Sequence, residues 1–129
     1  MSKIHYDSIT ADSHNDTLMK VVDKETWLPV FNIGNNTENH IDIPKLKAGG
    51  LKVPFFAAYT SCYYGDTSKA MSRTLALINA LYWTEERNKD IFKITRSVKD
   101  IIAAVNEGII AAVPAIEGIK GFLCKWIRN

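Results

Sequence analysis

The residues of this sequence with the clearest chemical potential are His14 and Asp16, which stand two positions apart at the end of an apolar-leaning run, residues 9–14. If that run is a β-strand, side chains two apart point to the same face, so the imidazole and the carboxylate lie side by side. Both groups are ligands that zinc takes in proteins. The pair therefore predicts half of a metal site.

A third candidate ligand is Glu117, which follows a second apolar run at residues 109–116. In α/β proteins, ligands bind at the carboxyl ends of parallel strands. The three clearest predicted strands end in polar groups, namely His14 with Asp16, Thr60 with Ser61, and Glu117. This regularity predicts a metal site made by His14, Asp16 and Glu117.

Simpler interpretations of these residues remain open. Asp16 could cap a helix beside an incidental histidine, and Glu117 could be a solvated carboxylate at a strand end. Tyr59 is a candidate substrate contact, although packing is the simpler explanation for an aromatic residue there. Asp12 lies two positions before His14, so its side chain points to the same face of the predicted strand. There it either orients the imidazole or serves as a buried or capping polar group.

The composition places the chain among globular proteins. Its 129 residues suit one domain, and 47% hydrophobic with 23% charged residues argues against disorder. A net charge of +2 without a basic stripe argues against a nucleic-acid partner. The sequence has no run of about 18 apolar residues, so no membrane span is predicted. The amino terminus lacks the apolar core of a signal peptide, which predicts a cytoplasmic location.

Apolar runs alternate with segments of helical periodicity, which indicates βα units and an α/β fold with a parallel sheet. Residues 51–60 predict a strand buried on both faces, and residues 92–95 a short edge strand. Asp42 ahead of Pro44 predicts a helix cap. The longest predicted helix runs to about residue 88. Its helical spacing predicts an inner face formed by Met71, Leu75, Ile78, Leu81 and Tyr82.

Three motifs in this sequence resemble those of the membrane (renal) dipeptidase family, in order and approximate spacing. They are Asp-Ser-His-Asn-Asp at 12–16, His-Ile-Asp-Ile-Pro-Lys-Leu-Lys-Ala-Gly-Gly at 40–50, and Ile-Glu-Gly at 116–118. Most relatives that share the family's barrel carry His-x-His on the first strand, so Asp16 favours the dipeptidase branch. The resemblance extends over most of the chain, from about residue 9 to residue 118.

The resemblance implies a zinc dipeptidase with a TIM barrel of the amidohydrolase type. It implies two zinc ions per complete site, with His14 and Asp16 as ligands of one ion and Glu117 as the carboxylate that bridges both. In such a site a hydroxide held between the metals attacks the peptide carbonyl of a dipeptide substrate. Two cations about 3.5 to 4 Å apart need a shared negative charge, which a bridging glutamate supplies.

The sequence also departs from the family pattern. The family's two histidine ligands of the second zinc and its substrate-contacting groups follow the bridging glutamate, whereas only 12 residues follow Glu117 here and none is His or Asp. A TIM barrel needs about 250 residues. We therefore expect residues 1–129 to form one partial domain, with the first three to four strands of a barrel and a divergent tail at 119–129. No catalytic residue is assigned.

These departures predict an amino-terminal fragment without dipeptidase activity of its own. The alternative hypothesis is a non-catalytic remnant or a module that binds a partner. An incomplete parallel sheet leaves backbone groups unpaired at its edges. We therefore expect self-association or aggregation through the open edge.

Overall fold

Four β-strands form the centre of the part of the chain that this computed structural model describes, which comprises residues 3–35, 37–64 and 68–118. The tail at 119–129 lies outside these residues. The strands are β1 (Ala11–Asn15), β2 (Val53–Tyr59), β3 (Phe92–Ile94) and β4 (Ile110–Glu117). The helices are α1 (Lys3–Asp7), α2 (Leu18–Val21), α3 (Ile43–Gly49), α4 (Ser68–Arg87) and α5 (Val98–Asn106).

The strand order in the sheet is β1-β2-β4-β3, and every neighbouring pair is parallel. The α/β class and the expected three to four parallel strands are therefore confirmed. As predicted, β3 is a short edge strand, and it pairs only with residues 110–112 of β4. The position of β4 between β2 and β3 was not predicted, because a regular barrel places its strands in sequence order.

This strand order puts helices on both faces of the sheet. The chain runs outward from β2 to β3 and then returns to β4, so right-handed crossovers place α4 and α5 on opposite faces. α5 packs through Ala104 against Val53 and Ala111, near the amino-terminal ends of β2 and β4. At the other end of the same face, Glu117 closes β4 and is exposed. The carboxyl ends of the strands thus stay accessible to a ligand.

The opposite face of the sheet packs against α2, α3 and α4 and forms the main hydrophobic core. Phe56 of β2 and Phe92 of β3 are completely buried there, and their rings meet edge to face with centroids 5.6 Å apart. Burial of side chains of this size contributes about 1.5–3 kcal/mol each. This core therefore anchors the strands whose ends carry the candidate ligands.

The predicted cap at Asp42 is confirmed. Asp42 precedes α3 with extended backbone, and its Oδ1 accepts a hydrogen bond from the backbone N–H of Lys45 at 2.8 Å. Pro44 occupies the first turn, where no N–H is needed. Gly50 ends the helix with a φ of +69°, and a Cβ at this position would lie 2.9 Å from the ring of Tyr6. The residues at the two ends of α3 therefore set where the helix begins and ends, before the chain enters β2.

The predicted inner face of α4 is correct at Leu81, which is completely buried, and at Ile78, which packs against the core, but it is wrong at the other three positions. Met71, Leu75 and Tyr82 are exposed, and the buried stripe of the helix includes two alanines and two threonines. Buried in this stripe are Ala70, Arg73, Thr74, Leu77, Ala80, Leu81 and Thr84. Alanine and threonine let the helix approach the sheet closely, and the Thr74 and Thr84 hydroxyls donate to carbonyls one turn earlier, at 3.1 and 2.9 Å. Neither α4 nor any other helix within the described ranges is long and apolar enough to cross a membrane.

Two leucines on α4 test this orientation. Leu75 is 56% exposed and Leu77 is 0% exposed. We expect Leu75→Ala to change the free energy of unfolding by no more than about 0.5 kcal/mol, because a surface side chain loses few contacts. Leu77→Ala is the matched control, and it should unfold at clearly lower denaturant concentration because it leaves a cavity. Equal losses in urea denaturation, or a larger loss for Leu75→Ala, would contradict this packing.

Candidate metal centre

The three predicted ligands come together at the carboxyl ends of the strands. The Nε2 atom of His14 lies 3.4 Å from Oδ1 of Asp16 and 3.2 Å from Oε2 of Glu117. One ligand atom from each residue lies within 4.8 Å of the other two. All three side chains are about half exposed, so a cation has access from solvent. The predicted grouping of His14, Asp16 and Glu117 therefore exists in the fold.

His14 and Glu117 reach each other across an intervening strand. β1 and β4 both pair with β2, so their backbones lie two strand spacings apart, roughly 10 Å. By strand alternation, β2 presents Ala57 and then Tyr59 to this face of the sheet. The methyl group of Ala57 leaves room above β2, so the longer side chains of His14 and Glu117 can lean together.

An irregularity in β1 sets the direction of His14. The register between β1 and β2 shifts between Asp12 and Asn15, and bulges of this kind re-aim side chains next to functional sites. The carboxylate of Asp12 accepts a hydrogen bond from the backbone N–H of His14 at 3.2 Å, whereas no bond to the imidazole is present among the described residues. Asp12 thus holds the irregular backbone of β1, and Asp16 stands just past the end of this strand.

Asn15 is a positioning residue that sequence reasoning missed. It is buried, and it lies in sequence between the exposed candidate ligands His14 and Asp16. Its side-chain amide donates to the Phe55 carbonyl at 2.8 Å, and its Oδ1 accepts from the Thr17 backbone N–H at 3.3 Å. These bonds tie the end of β1 to β2 and to the start of α2. The sequence does contain a sign of this role, because Asn15 is a polar residue at a strand position where the alternation of side chains predicts burial.

The position of Glu117 depends on a close approach of two backbones. The Thr60 backbone N–H donates to the Glu117 carbonyl at 3.2 Å. The next residue, Gly118, has a φ of +80°, and a Cβ there would lie 2.7 Å from the carbonyl oxygen of Thr60. Only glycine combines this backbone angle with this contact. Gly118 therefore lets the chain leave β4 while Glu117 stays fixed beside the end of β2.

We expect Gly118→Ala to destabilise the chain by about 2 kcal/mol, because it adds a backbone clash to a strained φ. It should also weaken zinc binding several-fold by displacing Glu117. Gly108→Ala is a matched control. Gly108 has a φ of +72°, a Cβ there would meet no atom within 4 Å, and the residue precedes β4, at the opposite end of the strand from Glu117. Gly108→Ala should lower the free energy of unfolding by less than Gly118→Ala does. Its zinc affinity, measured by competition titration, should equal that of the wild-type chain. Unchanged zinc affinity in folded Gly118→Ala would contradict this role.

The other polar groups at the strand ends have separate roles. The hydroxyl of Thr60 is buried and lies 2.6 Å from the hydroxyl of Thr74 on α4, so it faces away from the ligands. Tyr59 is half-buried, pairs in register with Glu117, and lines a cavity of about 460 Å³ together with Ser61. Its candidacy as a substrate contact stays a prediction.

The remaining histidines lie outside this cluster. The Nε2 atom of His5 is 2.7 Å from the Gly49 carbonyl oxygen, so His5 joins α1 to α3. His40 is exposed in the segment before α3. Within the described ranges, His14, Asp16 and Glu117 form the one group of metal-ligand type.

The chemistry of this donor set suits a divalent cation. One imidazole nitrogen and two carboxylate oxygens are ligands that zinc accepts. The two carboxylates bring negative charge to a small region, which a cation would offset, and the imidazole lies between them. These three residues therefore fit a metal ion and can leave coordination positions for water or substrate.

Comparison with known proteins also relates this chain to metallopeptidases. A family model described as membrane dipeptidase, peptidase family M19, matches residues 1–123. The fold is similar to that of dipeptidase AC, a metallopeptidase of family M19, with a TM-score of 0.71 and 24% identity over 88% of this chain and 36% of that one.

Two further solved structures share the fold. A metallopeptidase from Rhodobacter sphaeroides, bound to a phosphinate mimic of the dipeptide L-Ala-D-Ala, matches with a TM-score of 0.68 and 23% identity over 88% of this chain and 39% of that one. The probable dipeptidase PvdM from Pseudomonas aeruginosa matches with a TM-score of 0.71 and 13% identity over 96% of this chain and 33% of that one. The chain thus spans between a third and two fifths of these relatives.

Proposed function

The chain belongs to the membrane dipeptidase family, peptidase family M19, and we propose that it carries the first part of the metal site of a zinc-dependent dipeptidase. The observation that carries this proposal is the convergence of one imidazole and two carboxylates, from β1, the residue after it, and β4. His14 and Glu117, which are 103 positions apart in sequence, meet at the end of the sheet where α/β proteins bind ligands.

His14 and Asp16 would hold one zinc ion, and Glu117 would share its carboxylate between this ion and a second. Zinc, when bound, lowers the pKa of water to about 7 and polarises a carbonyl group. Glu117 is suited to the shared position because a carboxylate has two oxygens. Asn15 and Gly118 would keep the ligands in place, through the bonds to Phe55 and the contact with Thr60 described above.

Dipeptides are the proposed substrates of the complete enzyme. Support comes from the family and from the relative whose structure holds a dipeptide mimic. Because this chain spans little more than a third of such relatives, and only His5 and His40 remain as spare histidines, we expect it to bind zinc without hydrolysing dipeptides by itself.

A non-catalytic role, as a remnant or a partner-binding module, is the second candidate. It is favoured by the unpaired edge of the sheet. β3 covers only residues 110–112 of β4, so residues 113–117 have no strand on that side within the described ranges. Ile116 on this segment is 46% exposed. Such an edge can add a strand from another chain or from a second copy.

Zinc titration in competition with a chromophoric chelator, followed by a dipeptide hydrolysis assay, tests the proposal. We expect saturable zinc uptake by the 129-residue chain and no turnover of alanyl-alanine. Turnover would support the dipeptidase function while contradicting the expected inactivity of this chain. Absence of zinc uptake would overturn the ligand assignment and favour the non-catalytic candidate.

A further inference from the structure

β3 offers no free edge to a partner strand, because its outer backbone N–H groups already have acceptors. Phe92 and Ile94 alternate with the residues that bond to β4, so their N–H groups point away from β4. These two N–H groups, and that of Arg96 just beyond the strand, donate to the Asn88 carbonyl at 2.9 Å, the Glu85 carboxylate at 2.8 Å and the Asp100 carboxylate at 3.2 Å, respectively. A strand that added here would have to break these bonds, so this edge is protected.

The edge of β4 beyond β3, residues 113–117, is open and carries an uneven set of donors and acceptors. The Thr95 N–H donates to the Ala112 carbonyl at 2.8 Å, so Ala112 and every second residue after it face the side of β3. Pro114 and Ile116 therefore point their backbone groups to the open side. They offer two carbonyls but only one N–H, because proline has none. Within the described ranges, no residue bonds to these three groups.

The outer edge of β1 carries the complementary set. The Thr10 carbonyl accepts from the Val53 N–H at 3.0 Å, so Ala11 and Ser13 direct their N–H groups away from β2. The Ala11 carbonyl points the same way, which gives two donors and one acceptor without partners in the described part of the chain. Both side chains are small and exposed. β1 has five residues, which is also the length of the open edge of β4.

One parallel register joins these two edges. It places Ala11 of one copy of the chain opposite Ala115 of another. Three hydrogen bonds then form, from the Ala11 N–H to the Pro114 carbonyl, from the Ile116 N–H to the Ala11 carbonyl, and from the Ser13 N–H to the Ile116 carbonyl. A shift by two residues towards β3 would need the Ala112 carbonyl, which Thr95 already occupies. A shift by one residue would turn the side chains to the other face.

This register brings a second set of candidate ligands to Glu117. Ala11 and Ala115 both lie on the face of the sheet that carries Glu117, so the ligand faces of the two copies are continuous. His14 of the same chain reaches Glu117 across β2, at 3.2 Å. β1 of a second copy would lie on the other side of β4, one strand spacing away, about 4.8 Å. Glu117 would then have an imidazole on each side, and its carboxylate has two oxygens to share between them.

We infer that a second copy of this chain adds its β1 to the open edge of β4, and that His14 and Asp16 of this copy join Glu117 in a metal site shared between copies. The inference rests on the proposed function for the metal, whereas the strand pairing does not require it. The contact joins two different surfaces of the chain. Such a contact either closes into a ring or continues from copy to copy.

A mixture of two variants, each lacking one half of the shared site, tests the inference. His14→Ala keeps Glu117, and Glu117→Gln keeps His14 and Asp16. We expect the mixture to bind zinc at least about tenfold more tightly than either variant alone in competition with a chromophoric chelator. If the wild-type chain binds zinc but mixing gives no gain, the inference is overturned and the proposed function stands.

Sedimentation velocity over a concentration series, with and without zinc, tests the strand pairing. Ser13→Pro removes one outward N–H but no bond of the β1–β2 ladder, so it should weaken self-association by at least about tenfold. Ser13→Ala keeps the N–H and is the matched control, which should associate like the wild-type chain.

A wild-type chain that stays monomeric in both conditions overturns the inference, so the test holds even if Ser13→Pro fails to fold. Equal self-association of folded Ser13→Pro and the wild-type chain also overturns it. Self-association that Ser13→Pro weakens, in a wild-type chain without zinc uptake, supports the strand pairing and refutes the shared metal site together with the proposed function.

Discussion

His14→Ala will lower the affinity of the chain for zinc by at least about a hundredfold. Loss of a group that merely orients a ligand already costs 10- to about 100-fold in metal affinity, and His14 is itself a candidate ligand. It is also the residue that both carboxylates approach, at 3.4 and 3.2 Å from its Nε2. The substitution leaves two carboxylates without a nitrogen donor, a set that zinc prefers less.

The measurement is the zinc Kd by competition with a chromophoric chelator. His40→Ala is the matched control, because it removes an exposed imidazole outside the cluster and should leave the Kd unchanged. His14→Ala should retain the thermal stability of the wild-type chain in the absence of metal, since the His14 side chain is about half exposed. Zinc binding of equal strength in His14→Ala would refute the assignment of this residue.

Asp42→Ala will lower the free energy of unfolding by about 3 kcal/mol. Asp42 is completely buried, and its two oxygens accept from the Lys45 backbone N–H, the Thr37 backbone N–H and the Thr37 hydroxyl at 2.8, 2.8 and 3.1 Å. The Lys45 ammonium lies 2.9 Å from Oδ2. Alanine removes a helix cap, at a cost of about 1 kcal/mol, and leaves donors unpaired, at about 1–3 kcal/mol. Urea denaturation at pH 7 measures the loss.

The charge of Asp42 also predicts how stability depends on pH. Burial raises the pKa of the Asp42 carboxyl, but hydrogen bonds from the side chain of Lys45 and from Thr37 outweigh burial and lower the pKa to about 2, from 3.8. Because the folded-state pKa is the lower one, the stabilisation is fully present above about pH 4 and is lost as the pH falls towards 2. It amounts to about 2 kcal/mol.

Asp42→Asn isolates the charge, because asparagine retains an oxygen for the Lys45 N–H. We expect the Asn variant to show a weaker loss of stability between pH 4 and pH 2 than the wild-type chain. The measurement is a series of urea denaturation curves across this pH interval. Parallel pH profiles for the two proteins would show that the Asp42 carboxylate is not the group responsible.

Local interactions explain which parts of this fold were predictable. The cap at Asp42 depends on a contact three residues away, and the closeness of His14 and Asp16 depends on two residues of one strand end. The strands at residues 53–59 and 110–117 are each indicated by their own apolar runs. The position of Glu117 at the end of its strand, combined with the rule for ligand sites in parallel sheets, predicted its meeting with His14.

Features that depend on distant parts of the chain were decided only by the tertiary structure. Helical spacing marked Met71 and Leu75 as buried, but the sheet accepts the side of α4 that has alanine and threonine, because these residues permit close approach. The position of α5 on the opposite face follows from the strand order, which no single segment encodes. The same holds for the contact of Gly118 with Thr60 and for the burial of Arg73 beside Val22 and Asp23. Sequence alone thus determined the elements and the candidate ligands, and tertiary packing decided their neighbours.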